Sequence, residues 1–253
     1  MACYLYHSNE TLPINELKRI TTEGGCADLN LHRCIIQVTR LFFYFIILSQ
    51  IHMESVFTHI YESNVWGDNN LASGYTGTSG AGSDISYNAN NYIPFLKKFI
   101  VEHNIESIVD LGCGDFRCGP LIYDELDVTY TGYDIYEKVI EYNTMSYSAQ
   151  KYTFTHLDFC NRRDEIISGD LCILKDVIQH WCLNDIYKFL DYMIISKKYK
   201  HILICNCGYQ QFDNLDIETG DFRPLSCMYL PLSKYGFTPV YTYHTKEVSL
   251  LSL

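Results

Sequence analysis

Paired cysteines are missing from this chain of 253 residues. There are 11 cysteines, but no two stand as C-x-x-C; the nearest approaches are Cys113/Cys118 and Cys205/Cys207. A structural zinc site needs thiolates paired at short spacing, so that class is excluded. Cys172 in "DLCILKD" and Cys205 in "ILICN" sit in apolar runs, where a thiol behaves as a small hydrophobe. We read reduced thiols and a cytoplasmic protein, not a disulfide framework. Basic charge is also scarce. Lys and Arg number 19 against 30 Asp and Glu, a net charge of −11, which argues against a nucleic acid held on a broad basic surface. Nor does "LFFYFIIL" at 41–48 suffice for a membrane partner. A bilayer span takes about 20 apolar residues. The run also comes late for a secretory signal, with no small-residue cleavage site after it.

What is present is a globular composition, 47% apolar and 19% charged, long enough for one large α/β domain. The first 52 residues are neutral, so the remainder carries the whole net charge. Residues 1–52 are expected to be an N-terminal extension. It is a poorly ordered segment, an accessory helix or a start assigned too early. The last is favoured because Met53 opens the domain-like "MESVFTHIYESNVWGDN". The domain itself spans 53–253. Residues 64–91 read as a Gly/Ser/Asn-rich loop, and Trp66 within it argues for docking onto something. Residues 91–104 read as a helix. From 107 the pattern alternates: strands at 107–112, 128–135, 151–159, 170–176 and 201–206, with helices at 137–149 and 184–199 between them. Asn184 is placed to cap the last helix. The tail reads as a strand pair turning near Thr245–Lys246. Such alternation means a doubly wound, mostly parallel sheet with helices on both faces.

Strand ends carry the chemistry. "SIVDLGCGDF" closes an apolar strand with Asp110, Gly112, Gly114 and Asp115. Glycines there let a ligand approach the backbone closely. The third glycine of G-x-G-x-x-G is absent, since Arg117 occupies its place, and Asp115 would repel a pyrophosphate. An acid at that mouth suits a ligand with positive charge. Asp134 ends the second strand, where its two oxygens match a vicinal diol. Asp158 ends the third and can accept from an exocyclic amine. Together these describe a nucleoside site with no phosphate to bind.

"VDLGCGDF", "YDIYEKVI", "THLDF" and "ILKDVIQHW" resemble the successive motifs of class I S-adenosylmethionine-dependent methyltransferases over roughly residues 53–253. The Trp66–Ser83 loop, "LGCGDF", "KDVIQHW" and "DFRPL" resemble a small subgroup often encoded near glycan-building enzymes. Arg117–Cys118 stand where that subgroup has an Asn-aromatic pair. The resemblance implies a Rossmann-like seven-stranded sheet with an antiparallel last strand, and S-adenosyl-L-methionine as cofactor. It implies that Asp110, Gly112 and Gly114 line the methionine moiety, Asp134 the ribose, and Asp158 with Phe159 the adenine. It also implies that Trp66 and the 79–83 loop, with Gly82 and Ser83, fold over the cofactor; a plain linker is the alternative.

Methyl transfer to a hydroxyl requires alignment, exclusion of water and removal of a proton. After the fourth strand, a helical turn would put Asp176, Gln179 and His180 on one face. His180 is the candidate base and Asp176 the group that orients it. Lys175 is a candidate for the cofactor carboxylate or a substrate. Asn206 is a candidate substrate contact, and Arg223 either binds an anionic substrate or pairs with Asp221. Asp176 and His180 make too small a set to claim a metal. The expected activity is methyl transfer to a small acceptor, a sugar or glycan hydroxyl or a nucleotide sugar. A nucleic-acid or protein methyltransferase and an inactive cofactor-binding protein stay open. No N/D-P-P-Y/F tetrapeptide of amino-directed enzymes follows the fourth strand.

Overall fold

The structure is a computed structural model that describes residues 53–69, 74–147 and 151–253. The expectations for residues 1–52 lie outside the described residues. Helix α1 runs over 53–62 and turns Met53, Phe57 and Ile60 inward at i, i+4, i+7. The expected loop follows, but it holds a 3-10 turn, Ala81–Ser83, and one short helix, α2 (Ile85–Asn88). Then come α3 (Tyr92–Glu102), β1 (Ser107–Leu111), α4 (Gly119–Tyr123), β2 (Thr129–Asp134), α5 (Glu137–Ser146) and β3 (Tyr152–His156). The chain ends with β4 (Gly169–Lys175), α6 (Leu183–Ser196), β5 (Tyr199–Cys207), β6 (Thr238–Tyr243) and β7 (Lys246–Ser252).

All seven strands form one sheet in the order β3-β2-β1-β4-β5-β7-β6. β1 pairs in parallel with β2 and β4, β2 with β3, and β4 with β5. Only β7 runs against its neighbours, β5 and β6. This is the Rossmann-like, mostly parallel sheet with an antiparallel last strand that the motifs imply. Alternation along each strand splits the core in two. Val109, Leu111, Cys172, Leu174, Ile202 and Ile204 share a cluster with α1 and with Ile186, Phe189, Leu190 and Met193 of α6. Ile108, Leu171, Ile173, Leu203 and Cys205 join Leu96, Phe99 and Ile100 of α3. The order reverses between β1 and β4, so a crevice opens at the carboxyl ends of those two strands.

Two local expectations are corrected. Asn184 does not cap α6. The cap is Cys182, and its first amides bond to remote side chains: Cys182 N–H to Thr219 Oγ1 at 3.1 Å and Leu183 N–H to Asp216 Oδ1 at 2.7 Å. Tertiary partners displaced the local cap. The turn after β4 is also shorter than expected. Asp176 takes a left-handed φ of 62°, and only Ile178–His180 are helical, as a 3-10 turn, so Asp176 leaves the face that Gln179 and His180 begin.

Candidate active site

β1 ends at Leu111, and the chain turns sharply because the N–H groups of Gly112 and Cys113 both donate to the carbonyl of Tyr133, at 2.8 and 3.0 Å. Gly114 has φ of 54°, and a Cβ there would lie 2.5 Å from Ser79 Oγ. Only glycine admits both that backbone and the close approach of the 79–83 loop. Gly114 N–H donates to Asp134 Oδ2 at 2.9 Å, and Tyr136 N–H to Asp134 Oδ1 at 3.0 Å. The G-x-G loop and the acid ending β2 are therefore built as one unit. Burial raises the Asp134 carboxyl above its usual value, against the pull of these bonds. Asp110, at the end of β1, accepts from Tyr130 Oη at 2.8 Å, and burial pushes it up to about 6.

Asp115 is 1% exposed. Its Oδ2 pairs with Arg117 Nε at 3.0 Å, while Oδ1 has no partner among the described residues. An acceptor-only group so placed fits a cation supplied by a ligand. Asp158, just beyond β3, accepts from Asn161 N–H at 3.2 Å and from its side-chain amide at 2.8 Å, and burial raises it.

Beyond β4, Lys175 Nζ donates to the carbonyl of Gly82 at 2.6 Å and to Asp176 Oδ2 at 2.7 Å. Asp176 Oδ1 takes Lys246 Nζ and, at 3.1 Å, the amide of Gln179. Burial favours protonating Asp176, but the two lysines outweigh it and hold the carboxyl at about 2. The direct pairing of Asp176 with His180 is not formed. Gln179 stands between them, its Nε2 3.4 Å from His180 Nε2 and its Oε1 accepting Cys207 N–H at 3.0 Å.

His180 Nδ1 lies 2.8 Å from the carbonyl of Asp221. A carbonyl can only accept, so Nδ1 carries the proton and Nε2 is the acceptor nitrogen, facing the Gln179 amide in a long contact that an acceptor hydroxyl would replace. Burial pulls the His180 pKa below its usual value, which keeps the ring neutral at pH 7. Trp66 covers it, ring centres 5.0 Å apart. The docking partner that Trp66 calls for is thus His180, together with Tyr61 at 5.5 Å.

Twelve residues expected at the site line one cleft: Trp66, Gly82, Ser83, Asp110, Gly112, Gly114, Asp134, Asp158, Phe159, Lys175, Asp176 and His180; the other candidates, Gln179, Asn206 and Arg223, are buried and are not part of its lining. The cleft is partly open to solvent. Sequence reasoning missed three supports. Tyr61 Oη bonds Ser79 Oγ at 2.9 Å, Asn143 Nδ2 donates to Gly114 O at 2.7 Å, and Lys246 neutralises Asp176. No local pattern marks Lys246, which lies 70 residues beyond Asp176. Only the β5–β7 pairing, which sets it opposite Cys207, delivers it.

No protein-family model matches the sequence, and no curated protein matches it. Among solved structures, the methyltransferase domain of bacterial CtHen1 superposes with a TM-score of 0.52 at 13% identity, covering 65% of this chain and 98% of that one. A second structure of that domain gives 0.51 at 14% identity, covering 65% and 99%. WbdD gives 0.50 at 12% identity, covering 68% of this chain and 41% of WbdD. At these identities the likeness is one of fold: the chain has the class I methyltransferase fold.

Proposed function

We propose that this chain transfers a methyl group from S-adenosylmethionine to a hydroxyl of a small acceptor, with a sugar or glycan favoured by its motifs. The observation that carries the reading is the cleft itself, where three strand-end acids and the G-x-G loop meet a neutral, oriented histidine. The residues present fit the cofactor. Asp134 would hold the ribose diol with the lone pairs its backbone donors leave free. The unpaired Oδ1 of Asp115 suits the ammonium of the methionine part. Gly112 and Gly114 admit that part against the backbone, and Asp158 with Phe159 would hold the adenine. The 80–83 turn closes over it, pinned by Lys175 through the carbonyl of Gly82. When bound, S-adenosylmethionine supplies a sulfonium methyl that is already electrophilic.

The protein's own work is then positioning and proton removal. His180 Nε2 accepts the proton of the acceptor hydroxyl, and Asp221's carbonyl fixes the tautomer that makes this possible. Asp176, saturated by two lysines and Gln179, acts as a positioning residue that holds Gln179 against His180. Trp66 excludes water from the ring. The test is calorimetric titration with S-adenosylhomocysteine beside NADH. Micromolar binding of the first alone supports the reading, and an acceptor screen beginning with nucleotide sugars follows. Binding of NADH alone overturns it in favour of a dehydrogenase.

A further inference from the structure

Two buried side chains on the segments bonded around His180 have no side-chain hydrogen-bond partner among the described residues. Arg223 is 1% exposed, and its Nε, Nη1 and Nη2 all lack a hydrogen-bond partner among the described residues. Asn206, also 1% exposed, leaves both Oδ1 and Nδ2 unpaired. Backbone bonds gather their chain segments at the candidate base. Arg223 N–H donates to the carbonyl of Gln179 at 3.1 Å, and Gly220 N–H to that of His180 at 2.8 Å. Leu225 N–H donates to the carbonyl of Cys207, the residue after Asn206, at 2.8 Å.

A guanidinium removed from water with no counter-charge is strongly unfavourable, because nothing offsets the lost hydration. The molecule neutralises its other buried cations: Lys175 and Lys246 share Asp176. Arg223 is left out. The pairing with Asp221 considered from sequence is not made: the residue is exposed, and it is its carbonyl, not its side chain, that engages His180. Asp216 directs its Oδ1 to the amides of Leu183 and Ile217. Asp216 favours the Arg223 charge from a distance, but no described residue hydrogen-bonds the guanidinium, so its donors are left for an anionic group from outside the described residues.

We propose that Arg223, together with Asn206, receives an anionic group of the acceptor, a phosphate or a carboxylate, and so sets a hydroxyl of the same molecule at His180. A guanidinium fork matches two oxygens of either anion, and the asparagine amide supplies both a donor and an acceptor. Both side chains are sealed from solvent, so the anion enters when the 220–225 segment lifts, and the segment must reclose to restore the Asp221 bond to His180 before proton removal. The assignment rests on reading the cleft as a methyl-transfer site.

The test is thermal unfolding of the full chain with saturating S-adenosylhomocysteine. Inorganic phosphate, acetate and chloride are compared at matched ionic strength, for the wild type and for Arg223→Gln. A ligand that binds only the folded state raises its melting temperature. The expected result is a rise with phosphate or acetate over chloride in the wild type, absent in Arg223→Gln. The anion that produces the rise identifies the acceptor group. No anion-specific rise, or the same rise in the variant, overturns the proposal. Arg223→Met, without added anion, reads any structural role. An apolar chain in place of an unpaired buried charge should melt at or above the wild type, and a fall of several degrees would overturn the proposal by assigning Arg223 to the fold. Calorimetry separates the two readings. If S-adenosylhomocysteine binds while the anion arms fail, only this inference falls; if it does not bind, both fall.

Discussion

His180 gathers its properties from residues scattered along the chain. Trp66 covers it, Gln179 faces its Nε2, and Asp221, 41 residues onward, holds its Nδ1. Its candidacy was legible from the sequence because a histidine followed an acid at the end of a strand. Its tautomer was not, because a backbone carbonyl carries no residue signature. His180→Ala should lower kcat about 10²–10⁴-fold, the span of general-base catalysis, while leaving the affinity for S-adenosylhomocysteine within about threefold. Single-turnover kinetics beside calorimetry would read both. Asp134→Ala should do the opposite and weaken S-adenosylhomocysteine about 10–100-fold. It removes charge-assisted hydrogen bonds to the ligand and also frees the Gly114 and Tyr136 amides.

Elements meet at the site through loops, and two substitutions separate a loop's role in the site from its role in the fold. Gly82 sits in the turn that Lys175 holds, and a Cβ there would lie 2.5 Å from Asp176 Oδ2. That carboxylate cannot give way, since two lysines and Gln179 grip it. Gly82→Ala should therefore lift the turn, cost about 1–3 kcal/mol in urea unfolding, and weaken S-adenosylhomocysteine as well. Asp216→Ala removes the acceptor of Leu183 N–H at the start of α6. It should cost about 1 kcal/mol with cofactor affinity unchanged, the mark of a cap that serves only the fold. The sequence placed α6 correctly from its i, i+3, i+4 apolar spacing. It misplaced the cap, because the side chains that satisfy those amides lie more than 30 residues away in the chain and only folding brings them in.

The behaviour of the whole molecule with pH follows from its buried acids. Asp176 titrates at about 2 in the fold, against an unperturbed 3.8. Its contribution is complete above about pH 4 and is lost as pH falls toward 2, about 2 kcal/mol in all. Asp110 works in the other direction. Its folded value of about 6 exceeds the unperturbed 3.8, so its ionisation costs stability as pH rises from 4 to 6. Urea unfolding across pH 2–7 should show both slopes. Asp176→Asn should flatten the acid limb, and Asp110→Asn the rise in cost between 4 and 6. At this scale the division between sequence and structure is clear. The sequence by itself determined the alternating strands and helices, the two-faced core and the acids and glycines at the strand ends, because hydrophobic period and chain order act locally. Only the tertiary structure decided that Lys246 clamps Asp176, that Gln179 parts it from His180, and that Arg223 is buried near the base with no hydrogen-bond partner among the described residues. Those contacts join segments dozens of residues apart. Their energies depend on burial and on which charge ends beside which, and neither exists until the sheet and its loops have closed.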